Sequence, residues 1–277
     1  MIYLNGAILA GDKARIDVAD RGLLLGDGLF ETLRAYAGQP FRLADHLQRL
    51  GRAAGELGMS LPVDAPELVQ GVVDVLAANG LQKADAALRI TLTRGAGPRG
   101  LLPPDDPRPT LMVTAAPYHV PTTDAMSAVV VAVRRNEGSP LSRLKSLNYL
   151  DNILAAREAA AHGADEAVML NNRGQVACGA RANLFAVVDD VLVTPPLADG
   201  VLGGITRHLV LEAARDLGLG VAERSLLPAD LDRAGELFLT NSLLEIVPIG
   251  RLGDRDLPRR EIAAKLRQHY RLLINPM

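Results

Sequence analysis

Residues 142–171, SRLKSLNYLDNILAAREAAAHGADEAVMLN, run through three kinds of structure in succession. Lys145 stands in a short apolar turn, with Leu144 before it and Leu147 two positions after. NYLDNILAAREAAAHG reads as a helix that stops at Gly163, since glycine takes the left-handed position at a helix end without a Cβ penalty. EAVMLN then reads as a strand. The same irregular mixture continues on both sides. Upstream, MIYLNGAIL and LFETLRAYAGQPFRL read as strands, the latter folded at Gly38. Leu43, Leu47, Leu50, Ala54 and Leu57 recur at helical spacing, and a second helix over PELVQGVVDVLAANG ends at Gly80. AALRITLTRG and RPTLMVTAAPY are strands around the Gly/Pro-rich GAGPRGLLPPDD, and MSAVVVAVRR is another. Downstream come the β segments GQVACG and NLFAVVDDVLVTPP, the helix TRHLVLEAARDLG, the strands VAERSL and GELFLTNSL, and a terminal helix near 258–270. Strands and helices without regular βαβ alternation argue against a doubly wound parallel sheet. The pattern predicts an α+β fold in two domains, 1–117 and 126–277, joined by a linker at 118–125 around PYHVPTTDA.

The bulk composition narrows the function classes. A chain of 277 residues with 48% hydrophobic and 22% charged residues can bury a full core in each domain. A net charge of −2 gives no electrostatic reason for nucleic acid or an anionic membrane as partner. No apolar run approaches the roughly 20 residues of a membrane span, and the N-terminus lacks a basic-then-apolar signal, so a cytoplasmic protein is expected. The single cysteine, Cys178, cannot close an internal disulfide, and neither cysteine nor histidine spacing suggests a metal site.

Lys145 is one of only four lysines beside twenty-six arginines. In apolar surroundings an ammonium loses hydration, its pKa falls and the neutral amine becomes available as nucleophile or base, which a guanidinium cannot match. A lysine that snorkels to the surface shows the same spacing. ADGVLGGITRHLVLEAA (198–214) places Gly200, Gly203 and Gly204 before a helix that begins at Ile205 and Thr206. The free N–H groups of such a start suit an anion, although an ordinary cap has the same pattern. Arg49, at the edge of its helix's apolar stripe, can face a phosphate, and Arg94 and Arg99 can face a carboxylate; surface arginines read alike.

Together these features resemble the class-IV aminotransferase family, the fold-type IV pyridoxal-phosphate enzymes. The resemblance spans the chain through DRGLLLGDGLFETLRAY (20–36), HLQRL (46–50), RITLTRGAGPRG (89–100), LKSLNYLDNILA (144–155), GVLGGITR (200–207) and LFLTNSLLEIVPI (237–249). It implies a smaller N-terminal α/β domain, a larger C-terminal pseudo-barrel domain, pyridoxal 5'-phosphate as cofactor and usually a homodimer. Lys145 matches the Schiff-base lysine, Arg49 the phosphate arginine, and Gly204, Ile205, Thr206 and Thr240 the remaining phosphate contacts. One position departs: Cys178 stands where the family's glutamate meets the pyridine nitrogen, and Arg181 and Ala182 replace small hydroxyl residues. A thiol cannot hold a pyridinium as a carboxylate does.

Within the family, the short length, FLTNSL with Asn241, RGAGPRG, and Phe30 look most like 4-amino-4-deoxychorismate lyase, which yields 4-aminobenzoate and pyruvate for folate biosynthesis. In that reading Lys145 moves the substrate proton, Thr32 and Asn241 flank the leaving group, and Arg99, Arg94 and Phe30 contact the small amino substrate. The alternative is an aminotransferase of D- or branched-chain amino acids. A cofactor-binding homologue with little catalysis ranks third.

Overall fold

A computed structural model describes residues 1–121 and 123–274. They form two compact units. The first unit comprises Met1–Val120 together with Leu144–Asn148; the second comprises Pro121–Arg143 and the chain from Tyr149 onward. Lys145 thus packs with the first unit, although the second half of the sequence surrounds it.

In the first unit the chain runs β1 (Ile2–Leu4), β2 (Ala7–Leu9), α1 (Arg21–Leu25), β3 (Gly28–Tyr36), β4 (Gln39–Pro40), α2 (Leu43–Glu56), α3 (Ala65–Ala78), β5 (Ala86–Thr93) and β6 (Thr110–Pro117). Its six strands form an antiparallel sheet in the order β2-β1-β6-β5-β3-β4. One sheet face supplies Leu29, Leu33, Leu88, Ile90, Leu92, Leu111 and Val113 to a core closed by Leu50 and Ala54 of α2 and Leu68, Val72 and Val75 of α3. Strand alternation sends Phe30, Thr32, Arg89 and Thr91 to the other face. Gly38, at φ 81°, makes the expected hairpin between β3 and β4.

The second unit contains β7 (Met126–Arg135), α4 (Leu150–Ala161), β8 (Glu166–Asn171), β9 (Val176–Gly179), β10 (Asn183–Val188), β11 (Val191–Thr194), α5 (Ile205–Asp216), β12 (Val221–Glu223), α6 (Pro228–Arg233), β13 (Glu236–Asn241), β14 (Glu245–Leu252), β15 (Arg255–Asp256) and α7 (Glu261–Ile274). Its mixed sheet runs β12-β11-β10-β13-β14-β7-β8-β9, with β15 paired to β14. Among the described residues only the β11/β12, β14/β7 and β7/β8 pairs are parallel. No helix among the described residues is long and apolar enough to cross a membrane.

Candidate active site

The position of Lys145 is a consequence of an incomplete sheet edge. β4 covers only Ala35 and Tyr36 of β3, which leaves the start of β3 without a strand on that side. Residues 145–147 dock there. Phe30 N–H donates to the Lys145 carbonyl and Leu147 N–H to the Gly28 carbonyl, both at 2.9 Å. A Cβ on Gly28 would lie 2.6 Å from the Leu92 carbonyl oxygen and 2.8 Å from the Leu147 side chain, so glycine is required for this approach. Gly26, at φ 67°, accepts from the Asn148 amide at 3.1 Å. The glycines of LLLGDGLFE therefore seat the lysine.

Lys145 Nζ stands 4.4 Å from the centroid of the Phe30 ring. The Arg89 guanidinium carbon lies 3.9 Å from the same centroid, and Arg89 Nε donates to Thr91 Oγ1 at 3.2 Å. Loss of hydration, then the positive charge of Arg49, lowers the lysine pKa to about 8; Glu31 opposes the fall and Arg89 adds to it. Thr32 is the register partner of Arg89 across β3 and β5, which places it on this face too. On the core side of β3, Arg49 donates through Nε and Nη2 to the two oxygens of Glu31 at 2.7 and 2.6 Å. Its bidentate edge, expected to suit a phosphate, thus meets a buried carboxylate.

The two loop arginines differ. Arg94 is buried and donates to Asp27 at 2.8 Å and to the carbonyls of Gly58 and Leu57 at 3.1 and 2.8 Å. It ties β5 to the end of α2, and its expected substrate role is corrected accordingly. Arg99 is exposed, in a loop whose carbonyls at Gly100, Leu101 and Leu102 accept from buried Arg21. Asn241 is also committed: its Oδ1 accepts from Leu243 and Leu244 N–H at 3.0 and 2.7 Å, and its amide donates to the Arg181 carbonyl. It shapes the β13–β14 turn, as Asn does in Asx-turns, instead of flanking a leaving group.

In the second unit, α5 begins at Ile205, as the glycine run predicts, with Gly204 at the N-cap and no side-chain cap. A Cβ on Gly204 would fall 2.0 Å from Asn183 Oδ1. Asn183 is the register partner of Thr240. Thr240 is 1% exposed, and its hydroxyl has no hydrogen-bond partner among the described residues. A buried orphan hydroxyl and an uncapped helix start are both features of an anion cradle. Cys178, on β9, packs with Ala177 and Val201. Burial pushes its thiol pKa up, the Arg135 charge pulls it down and the Glu166 charge pushes it up further. Arg181 pairs with buried Glu166 at 3.1 Å.

Sequence reasoning missed Glu31, His46 and Arg89. The signals were an arginine inside the otherwise apolar ALRITL and a glutamate in FETL facing a His/Arg pair three residues apart on α2.

The amino-transferase class IV family pattern matches residues 28–252. A Methanocaldococcus jannaschii protein that carries a branched-chain-amino-acid aminotransferase name is 38% identical over 98% of this chain and 95% of its own. The aminodeoxychorismate lyase of Bacillus subtilis is 32% identical over 91% of this chain and 86% of its own. The crystal structure of branched-chain aminotransferase from Thermoproteus uzoniensis superposes with a TM-score of 0.92, at 35% identity, over 99% of this chain and 94% of that one. With most of its length matched, and with the lysine, the helix start and the glycine-lined sheet edge in place, this chain belongs to the class IV aminotransferase family.

Proposed function

We propose that this pyridoxal 5'-phosphate enzyme acts on a small amino-carboxylate, with cleavage of 4-amino-4-deoxychorismate to 4-aminobenzoate and pyruvate as its reaction. Lys145 carries the first part of the reading. Its amine, with a pKa of about 8, is partly neutral near pH 7.5 and can both take the cofactor's aldehyde and move a proton. Bound pyridoxal phosphate supplies an electron sink for charge that develops on the substrate. The donor set fits that cofactor at its phosphate as well. The N–H groups at Ile205 and Thr206 and the Thr240 hydroxyl, all of the second unit, are the residues to hold it. Phe30 shields one side of the amine, and Arg89, beside the same ring, is better placed than exposed Arg99 to hold a substrate carboxylate.

Cys178 favours the lyase. A buried thiol with raised pKa stays protonated and is a weak partner for the pyridine nitrogen. Cleavage that leaves an aromatic product asks less of the electron sink than amino transfer does. The branched-chain relatives at 38% and 35% identity favour the second reading, an aminotransferase of branched-chain or D-amino acids. Exposed Leu23, Leu24, Leu101 and Leu102 support a second copy of the chain as partner. In the test, the purified holoenzyme is given aminodeoxychorismate and, separately, an amino acid with a keto acid. Release of 4-aminobenzoate is expected. Amino transfer with no 4-aminobenzoate would replace the first reading by the second.

A further inference from the structure

PRREIAAKLRQHYRLL (258–273) carries Arg260 immediately before α7 and Arg267 and Arg271 within it. Spacings of seven and four residues bring the three to one side of the helix. There they line a pocket of about 600 Å³ that lies wholly within the second unit. Pro248 of β14 and Ala263 and Leu272 of α7 add an apolar wall, and exposed Asp124 is the one acid among the described lining residues. A Cβ on Gly250 would lie 3.0 Å from Ala125 Cβ and 3.1 Å from Arg260 Nη2. Position 250 must therefore stay small for the Arg260 guanidinium to rest against β14.

The positive charge of this pocket is only partly answered by the protein. Arg271 Nε donates to Glu245 Oε2 at 3.0 Å, but Arg267 Nε stands 3.6 Å from the same oxygen, too far for a hydrogen bond. Arg267 Nε and Arg260 Nε are both buried, and neither has a hydrogen-bond acceptor among the described residues. Glu236 gives no relief, because its oxygens accept from Ile262 and Ala263 N–H at 3.0 and 3.1 Å. The start of α7 is thus capped from within, and the unanswered donors belong to the arginines alone. Buried donors without acceptors are rare in folded proteins and ask for an explanation.

We infer that this pocket binds a small phosphate monoester, at a second site that shares no residue with those assigned to the cofactor. Three guanidiniums against the carboxylates of Glu245 and Asp124 leave one positive charge in surplus. Guanidinium forks match phosphate oxygens in shape and charge. A monoester presents three terminal oxygens, one for each arginine, where a carboxylate presents two. The apolar wall suits the carbon body of the ester, Asp124 can accept from a hydroxyl on it, and the volume falls in the range of small-molecule sites, roughly 300–1,000 Å³. The site depends neither on Lys145 nor on which reaction the enzyme performs.

The test uses the holoenzyme, so that the cofactor's own phosphate site is filled. Equilibrium dialysis with radiolabelled glycerol 3-phosphate measures binding, and unlabelled succinate competes as the dicarboxylate. Glycerol 3-phosphate should bind saturably, at least about tenfold more tightly than succinate. Arg260→Gln and Arg267→Gln each remove a donor that lacks an acceptor, and each should weaken binding at least about tenfold. Lys265→Gln removes the same charge from an exposed position on the same helix and should change the dissociation constant by less than about twofold. Should Arg267→Gln fail to fold, Arg260→Gln, which leaves Glu245 both of its arginines, still decides. No saturable binding below about 10 mM would overturn the inference, as would an equal loss in Lys265→Gln or succinate bound as tightly as the ester.

Discussion

On the reading proposed above, the thiol at position 178 sets how strongly this chain can withdraw electrons from a bound substrate. The pyridine nitrogen of the cofactor needs a partner that holds its proton, and a buried S–H of raised pKa gives only a weak donor. The charge of Arg135 already reaches this position. A carboxylate placed there would therefore meet a cation. Cys178→Glu should speed the keto-acid-forming half of amino transfer by at least about tenfold, roughly 1.4 kcal/mol in the barrier. Release of 4-aminobenzoate should change less. Cofactor absorbance after a single addition of amino acid reports the first, and product fluorescence the second. Equal changes in both would remove Cys178 from any role in choosing the reaction. The place of Cys178 in the expected GQVACG strand was legible in the sequence, and the structure has it on β9. Glu31 was not, because a lone carboxylate in an alternating strand reads as solvent-facing until its partners on α2 are seen.

At the scale of elements, the site depends on two structures that could not be read equally well. The start of α5 was legible: glycines followed by ITRHLVLEAA mark a loop-to-helix junction, and the helix begins at Ile205. The docking of 145–147 on the edge of β3 was not, since it joins segments far apart in sequence and depends on β4 being only two residues long. The short helix α1 escaped for a different reason. Its Leu23, Leu24 and Leu25 are all exposed, so no apolar periodicity announces it. The junction of α5 with β13 also yields a prediction with two opposed effects. The Thr240 hydroxyl is buried and unpaired without ligand, a state that costs about 1–3 kcal/mol. Thr240→Val keeps the shape and removes the orphan, so the cofactor-free variant should be as stable as the native chain or more so by up to about that amount. The same variant should bind pyridoxal phosphate about tenfold more weakly, as the phosphate contact proposed for the hydroxyl requires. Thermal melts without cofactor and fluorescence titration with it measure the two effects. A variant that is less stable without cofactor, or that binds it equally well, would show that the hydroxyl serves the fold alone.

For the whole molecule, the chemistry of the site is set against the stability of the fold. The cofactor-free chain must keep Lys145 in a place that disfavours its charge, with a pKa near 8 instead of the ordinary 10.5. Such a lysine binds fewer protons folded than unfolded between those two values, so its contribution to stability rises with pH across that window. Below about pH 8 the folded state bears the full cost. That cost is at most about 3.4 kcal/mol at 1.36 kcal/mol per unit, and less because Lys145 is only partly buried. Lys145→Met keeps the apolar stem and removes the charge. At pH 7 the cofactor-free variant should therefore melt a few degrees above the cofactor-free native chain, by roughly 2–4 °C per kcal/mol for a chain of this size. The gain should shrink as pH rises from 8 and vanish near 10.5, where the native lysine is neutral in both states. With pyridoxal phosphate present the order should reverse, because the native chain binds the cofactor through Lys145 as well as its phosphate and gains the larger stabilisation. Melting temperatures at several pH values, with and without cofactor, separate these cases. A variant no more stable than the native chain at pH 7, or one whose gain grows with pH, would mean that Lys145 rests in its setting at no cost to the fold.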